Sequence, residues 1–402
     1  MNSVPPSRNA ACHVGAPSSR LRRRPGLLRH ARATLAGLAG ALALFGAAPA
    51  AASDATPANP SAIPKAREVQ AMLASLTRRS ADRLISGQFA GYPNVNDLGT
   101  NNFDMEYLHE IHRRSGVYPK LTGADFTGRT AANDSNTRTF RYEAVLPALK
   151  AWWAKGGYVT TFSHFPRPDT YDPATRAGPN MRTPDGGYDM ARILPGGPDR
   201  AKWVAIMDQE IAALTDLQRS GVVSLHRLFP EMNGNWFWWC DQKPEVFKQV
   251  WRDAFDYYKS KGVNNALWVF NTTRLANQYY PGDDYVDFVS VNLYDFYWPT
   301  QEQYEGFLSL GKPFGIFEFG PGTTDPAAQL AAPVLGGAKR VAPPNNYDWR
   351  DLATRIKRDY PETSLFMVWH DGFKIGNGRY VREFMNDPWM LNLGDPVEPR
   401  RK

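Results

Sequence analysis

Eight short apolar runs are spaced along the chain, and most of them lie between polar, helix-like stretches. The runs are rich in Val, Ile, Phe and Leu and show no sustained alternation with polar residues, as is typical of strands buried on both faces. They are Leu84–Phe89, Tyr118–Phe126, Tyr158–Phe165, Val222–Phe229, Ala266–Asn271, Phe288–Leu293, Phe314–Phe319 and Leu365–Trp369.

Helical patterns lie between several of these runs. They cover Glu143–Lys155, Lys202–Arg219, Glu245–Lys261 and Trp349–Asp359. Eight strands with intervening helices in one chain of this size predict an α/β fold, a single-domain (β/α)8 TIM barrel. A doubly wound sheet is the alternative, but no glycine-rich phosphate-binding turn follows any of the predicted strands.

The amino-terminal region has the pattern of a targeting segment. An arginine-rich stretch is followed by a small-apolar run from Ala33 to Ala48 and by Ala50-Ala51-Ala52, which resembles a signal peptidase site. We therefore predict a signal peptide over residues 1–52, a Pro/Ala/Ser linker over 53–65 and the barrel over 66–402. The mature protein is expected to be secreted or periplasmic.

Removal of this leader changes the charge balance. Residues 1–53 hold seven Arg and no acid, so the rest of the chain has 47 − 7 = 40 basic residues against 40 acidic ones. Nothing in this balance favours binding to nucleic acid, or to a membrane after signal removal. Cys240 is then the remaining cysteine, so an intramolecular disulfide is excluded and we expect a monomer with a large core.

Two connections between predicted strands are long and rich in Pro and Gly. They cover Pro166–Arg200 and Pro321–Pro344. Long loops of this kind are commonly functional, and in a barrel both would leave the carboxyl-terminal face, where active sites lie.

The stretch from Arg227 to Trp239 carries the clearest candidate chemistry. Glu231 and Asn233 follow an apolar run and precede four consecutive aromatic residues, Trp236 to Trp239. Flat aromatic faces suit the apolar face of a sugar, and a nearby carboxyl group can protonate a glycosidic oxygen. The alternative is a buried strand followed by an aromatic-rich helix start.

A second carboxylate, Glu318, has a matching position. Glu231 lies at the end of the fourth predicted strand and Glu318 at the end of the seventh, and a glycine comes soon after each, Gly234 and Gly320. In a barrel these two strand ends face a shared cleft. Two carboxyl groups on either side of a glycosidic bond are the basic apparatus of glycoside hydrolysis.

Several motifs resemble those of glycoside hydrolase family 26, the β-mannanase family of the retaining (β/α)8 clan. The resemblance covers nearly all of the mature chain, and the segment around Glu231 is its most specific part. The matching segments are Ile85–Gln88, Gly157–His164, Glu231–Trp239, Tyr279–Asp287, Pro313–Gly320 and Val368–Trp369, together with Tyr294.

The resemblance implies roles for individual residues. Glu231 would be the acid/base and Glu318 the nucleophile of a double displacement, and Tyr294 would hydrogen-bond the nucleophile. His164 would contact substrate, and Trp369 would form the floor of the central sugar site.

Other residues near these motifs are weaker candidates for sugar contacts. Asn233, Trp236 and Trp298 are predicted to bind substrate, although simple packing explains the two tryptophans equally well. Arg227 is predicted to form an ion pair that orients the acid Glu231.

Pro230 departs from the family pattern, which usually has His immediately before the acid/base. Proline has no side-chain donor, so recognition of the central sugar must differ there, or another group must supply the contact. We predict a retaining endo-β-glycanase with β-1,4-mannan as substrate. The alternatives are the same mechanism on a mixed-linkage glucan, a xylan or a bacterial exopolysaccharide, and a non-catalytic glycan-binding barrel.

No cofactor is predicted, and metal chemistry is poorly supported. His109 and His112 share a probable helix without an evident third ligand, and the adjacent acids Asp283 and Asp284 are weak evidence for Ca²⁺. No serine nucleophile elbow or P-loop is present either.

Overall fold

The computed structural model shows a closed barrel of eight parallel strands. It describes residues 55–77, 83–93, 103, 105–131, 134–182, 187–294, 297–322 and 347–396. The predicted signal peptide and most of the connection 321–344 lie outside these residues. The barrel strands are β1 Gly87–Phe89, β2 Leu121–Asp125, β3 Tyr158–Phe162, β4 Ser224–Arg227, β5 Ala266–Thr272, β6 Phe288–Tyr294, β7 Phe314–Gly320 and β8 Thr363–Val368.

Each barrel strand pairs with the next one along the chain, and β8 pairs with β1 to close the ring. Seven of the strands are buried at nearly every position, and β3 is buried after its first residue. Their inward side chains pack on each other, while the outward side chains pack on the helices. The predicted (β/α)8 barrel is confirmed.

Six helices of the described residues lie between these strands, one precedes them all and one follows β8. They are α1 Pro64–Thr77, α2 Glu106–Ser115, α3 Leu146–Ala154, α4 Arg200–Arg219, α5 Pro244–Ser260, α6 Gln301–Leu308, α7 Trp349–Asp359 and α8 Val381–Met385. The four predicted helices correspond to α3, α4, α5 and α7. No helix among the described residues is long and apolar enough to span a membrane.

Helix α1 closes the amino-terminal end of the barrel. The Ile63 amide donates to Asn264 O just before β5, and Thr77 Oγ1 accepts from the Phe314 amide at the start of β7. The backbone amide of Ala58 donates to Asp287 Oδ1, just before β6. The end of the segment predicted as a linker therefore packs against the barrel.

A small antiparallel sheet stands at the opposite end and was not predicted. Its strands are Thr127–Ala131, Asp134–Phe140 and Ala177–Gly178, and it follows β2 directly. These strands are rich in Thr, Asn and Arg, so the apolar pattern that revealed the barrel strands does not reveal them. The connection 166–200 thus contributes one of its strands.

Candidate active site

Glu318 lies near the carboxyl end of β7 and is 6% exposed. Its Oε1 accepts from Arg227 Nη1 at 2.5 Å, and its Oε2 accepts from the Tyr294 hydroxyl at 2.7 Å. Both carboxylate oxygens therefore receive a donor, and one of these donors is a cation buried at the end of β4. The Tyr294 contact is the one that the family resemblance implies, whereas the predicted pairing of Arg227 with Glu231 is wrong.

Glu231 lies in the loop that follows β4, which we call the Glu231 loop (residues 228–243), and is also 6% exposed. Its Oε2 accepts from Trp236 Nε1 at 2.8 Å, and its Oε1 accepts from Asn292 Nδ2 at 3.0 Å. The backbone is left-handed at Glu231 and at Phe229, with φ of 57° and 52°. Such geometry costs free energy in residues other than glycine, so the surrounding contacts must hold it in place.

Three side chains hold the backbone of the Glu231 loop. Trp239 Nε1 donates to Pro230 O at 2.8 Å, and the Cys240 thiol donates to Glu231 O at 3.3 Å. Burial raises the pKa of Cys240 to about 12, which keeps this thiol protonated as a donor. Trp238 Nε1 donates to Phe165 O at 3.0 Å. Trp238 and Trp239 are thus buried supports of the loop.

Asn292 was not identified from the sequence, although it lies between the two carboxylates. It pairs in register with Glu318 across β6 and β7, and its amide nitrogen reaches Glu231. Its own Oδ1 accepts from Asn271 Nδ2 at 2.9 Å. The available signal was its position two residues before Tyr294, because residues i and i+2 of a strand share a face.

The two glycines near the carboxylates make room for aromatic rings. A Cβ at Gly234 would lie 2.6 Å from the Trp236 ring, and one at Gly320 would lie 2.3 Å from the Tyr294 ring. The indole N–H of Trp236 donates to Glu231, and the hydroxyl of Tyr294 donates to Glu318. Each glycine therefore permits the close approach of the ring that holds a carboxylate.

His164 lies two residues beyond β3, is buried, and contacts Asp125 at the end of β2. The distance from His164 Nδ1 to Asp125 Oδ2 is 2.6 Å. Burial is the largest influence on this imidazole and lowers its pKa, even though Asp125 acts in the opposite direction. The neutral ring therefore donates from Nδ1 to the carboxylate, and Nε2 is left as an acceptor.

Trp369 follows β8 and is 9% exposed. Its ring stacks on Phe89 at a centroid distance of 4.2 Å and an interplanar angle of 2°. The ring of Tyr92 meets it edge-on at 6.2 Å and lies 5.8 Å from the His164 ring. The structure thus brings Trp369 and His164 into one aromatic cluster at the carboxyl-terminal end of the barrel.

Two residues that the sequence predicts to bind substrate, Asn233 and Trp298, make their contacts elsewhere in the structure. Asn233 joins two loops, since its Nδ2 donates to Arg274 O at 2.9 Å and its Oδ1 accepts from the Thr273 amide at 2.9 Å. Trp298 stacks on Tyr360 at 5.2 Å, beside α7. The contacts of these two residues do not bring them to the carboxylates, and their predicted role in substrate binding stays a prediction.

No group of three or more potential metal ligands is found among the described residues. Among the described residues, an arginine, a tyrosine, a tryptophan and an asparagine donate N–H or O–H groups to the two carboxylates. Carboxyl groups held in this way can transfer protons and act as nucleophiles.

The family model for glycosyl hydrolase family 26 matches residues 58–395. The chain belongs to this family. A mannan endo-1,4-beta-mannosidase of Bacillus subtilis is 26% identical over 368 residues, which cover 88% of this chain and 93% of the relative. "Mannan endo-1,4-beta-mannosidase A and B" of Caldalkalibacillus mannanilyticus is 27% identical over 86% of this chain, which spans 64% of that relative's length.

Solved structures of family members have the same fold. A Bacillus subtilis mannanase superposes with a TM-score of 0.66 at 25% identity and covers 86% of this chain and 99% of its own. A beta-mannanase from a symbiotic protist of the termite Reticulitermes speratus, complexed with gluco-manno-oligosaccharide, gives 0.61 at 21% identity and covers 84% of this chain and 96% of its own. The (β/α)8 architecture of this chain is therefore the one found in these solved mannanase structures.

Proposed function

We propose that this protein is a retaining endo-β-glycanase that hydrolyses internal bonds of β-1,4-mannan. The observation that carries the proposal is that two buried carboxyl groups near the strand ends accept hydrogen bonds from different kinds of donor. Among the contacts of the described residues, Glu318 receives the guanidinium of Arg227 and the hydroxyl of Tyr294, and Glu231 receives the N–H groups of Trp236 and Asn292. A counter-charge suits a carboxylate nucleophile, and neutral donors suit a group that gives up and takes back a proton.

In the first step Glu318 attacks the anomeric carbon while Glu231 gives its proton to the departing glycosidic oxygen. The bond to the leaving sugar breaks, and a covalent glycosyl-enzyme forms. In the second step Glu231 takes a proton from water as the water oxygen attacks the same carbon and releases Glu318. Two inversions leave the anomeric configuration unchanged.

The two glutamates can be told apart by rescue with azide, using 2,4-dinitrophenyl β-mannobioside, whose leaving group needs no protonation. Glu318→Ala should lose activity, and azide should restore it by direct attack to give the α-mannosyl azide. Glu231→Ala should still form the glycosyl-enzyme, and azide should then give the β-mannosyl azide. NMR of the products identifies the anomers.

Glu68→Ala is a suitable control, since this carboxylate is exposed on α1 and pairs with Lys65. It should behave as the unaltered enzyme. The assignment is wrong if Glu318→Ala keeps its activity, or if the two variants yield the opposite azides. Unchanged circular dichroism would show that the variants are folded.

Mannan is the proposed substrate because the relatives named above carry that activity. A polymer of this kind is degraded outside the cytoplasm, and the signal-like residues 1–52 support our proposal that the enzyme acts after export.

The second candidate is the same mechanism on another β-glycan, and Pro230 favours it. Its carbonyl accepts from Trp239, and its side chain offers no donor to a sugar hydroxyl. Initial rates of reducing-end release on mannan, glucomannan, xylan and mixed-linkage glucan rank the substrates. Mannan should be hydrolysed fastest, and a preference for xylan or mixed-linkage glucan would replace the proposed substrate while leaving the mechanism unchanged.

A further inference from the structure

Arg138 lies on the central strand of the small antiparallel sheet and is only 4% exposed. This sheet is joined to the rim of the barrel beside His164. The Thr127 amide donates to Asp125 Oδ1 at 2.7 Å, and the Thr127 hydroxyl donates to His164 O at 3.2 Å. The guanidinium of Arg138 is therefore carried by a structure that is attached to the candidate active site.

The neighbours of this guanidinium are poor acceptors. Arg138 Nε donates to Met181 Sδ at 3.0 Å, and its Cζ lies 5.5 Å from the centroid of the Tyr92 ring. Its Nη1 is buried and has no hydrogen-bond partner within the part of the chain that the structure describes. A thioether sulfur accepts only weakly, so these contacts do not offset the burial of a cation.

Two arginines oppose the positive charge of Arg138, and one of them, Arg129, lies in register with it on the neighbouring strand. Burial is the main cause that lowers the pKa of Arg138; Tyr92 and Asp125 raise it, and Arg129 and Arg182 lower it further. Burial also holds the pKa of Tyr92 far above its usual range, so that side chain is a neutral phenol.

Asp125 does not lie within ion-pair distance of Arg138, and its carboxylate is held by other partners. Its Oδ1 accepts from the amide and hydroxyl of Thr127, and its Oδ2 accepts from His164 Nδ1. Arginine remains protonated at any pH at which a protein is folded. Among the residues that the structure describes, Arg138 Nη1 thus lacks an acceptor.

Arg138 lies close to side chains of the candidate active site. The Tyr92 ring beneath its guanidinium contacts both His164 and Trp369. Met181, its hydrogen-bond partner, accepts through its backbone carbonyl from the Trp238 amide in the Glu231 loop, at 3.1 Å. Arg138 therefore packs on Tyr92, whose ring contacts the candidate substrate-binding residues His164 and Trp369.

We propose that Arg138, with Arg129 and Arg182 nearby, binds a carboxylate on the glycan, so that the enzyme takes a β-glycan with acidic sugars of the uronic-acid class. This inference rests on the proposed glycanase function and refines its substrate. A carboxylate matches the planar donor fork of arginine and provides the missing anionic acceptor. A neutral mannan would leave this charge unpaired.

The test compares two forms of one polysaccharide, linear β-1,4-mannan and the same mannan with part of its C6 hydroxyls oxidised to carboxylates. For the natural enzyme, kcat/KM on the oxidised form should equal or exceed that on the neutral form. Arg138→Met should lower the ratio of the two kcat/KM values by about 10-fold to 100-fold, the effect of losing a hydrogen bond to a charged group.

Arg176→Met is the matched control. Arg176 also lies over a tyrosine ring, 4.8 Å from the centroid of Tyr142, but it already pairs with Glu143. Its substitution should leave the ratio unchanged. The free energy of unfolding should also distinguish a substrate-binding role of Arg138 from a structural one. Replacing a buried unpaired cation with Met should leave this free energy equal or higher.

Binding is measured apart from turnover, by electrophoresis of the Glu318→Ala variant through gels that contain either polysaccharide. The oxidised mannan should retard this variant more strongly, and a further Arg138→Met substitution should abolish the difference. Equal retardation by both polysaccharides, or an equal loss of activity on both after Arg138→Met, would overturn the proposal. Absence of hydrolysis in the natural enzyme would instead refute the glycanase function, and the gel result would still be decisive for the carboxylate site.

Discussion

At the scale of single residues, each candidate catalytic carboxyl group is positioned by a neighbour that is distant in sequence. Asn292 is the clearest case, since it reaches Glu231 across 61 positions and lies in register with Glu318. Its amide is itself held by Asn271. We infer that Asn292 positions the acid/base and does not react itself.

Asn292→Ala should therefore weaken the step that needs acid assistance. We expect kcat/KM on mannopentaose to fall about 10-fold to 100-fold, since one hydrogen bond to the reacting carboxyl group is lost. The loss should be much smaller on 2,4-dinitrophenyl β-mannobioside, whose leaving group departs without a proton. Equal losses on the two substrates would show that Asn292 does not act through Glu231.

At the scale of elements, the segments after β4 and at the end of β7 each need a glycine, because a side chain at that position would collide with an aromatic ring. Gly320 ends β7, and the Tyr294 ring lies where its Cβ would be. The ring cannot stay in place and keep its hydrogen bond to Glu318 if a methyl group is added there. The glycine is thus required by packing rather than by its backbone conformation.

Gly320→Ala should displace the Tyr294 ring and lower kcat by about 10-fold or more, the cost of one charge-assisted hydrogen bond. Gly311→Ala, at a turn before β7 with no atom within 4 Å of the new Cβ, is a control for a general alanine effect. It should affect stability through its φ of 67° but leave kcat unchanged. A fully active Gly320→Ala enzyme would contradict the packing argument.

At the scale of the whole molecule, the segment before β1 is part of the barrel. Helix α1 buries Leu73 and Leu76 and closes the amino-terminal end of the barrel, and Ala58 is bonded to Asp287. Burial raises the pKa of that carboxyl group to about 6, although the amides of Trp268 and Ala58 favour its charged form. The stability of this end of the barrel depends on residues upstream of the first strand.

A chain that begins at Ala55 should unfold at the same urea concentration as one that begins at Asp54. A chain that begins at Arg79 should lose more than about 5 kcal/mol of unfolding free energy, because several buried side chains at about 1.5–3 kcal/mol each are removed. Urea titration followed by tryptophan fluorescence measures both. Equal midpoints for all three chains would show that α1 is dispensable.

The sequence determined the strand count, and with it the barrel and the placement of Glu231 and Glu318 near strand ends. Short continuous apolar runs reveal strands buried on both faces, because burial requires an apolar residue at nearly every position of the run. The strands of the antiparallel sheet are polar and contain no apolar run, so the sequence pattern does not predict them. A strong local motif around Glu231 was sufficient for the resemblance that implied the roles of both glutamates.

Only the tertiary structure decided which side chains meet. A strand pattern gives the face on which a residue lies but not its neighbour on another strand. Arg227 was therefore assigned to Glu231, four residues away, although it contacts Glu318 across 91 positions. Trp298 was grouped with the sugar platforms, yet it packs on Tyr360 beside α7. Contacts between distant segments are set by barrel closure, which local sequence does not encode.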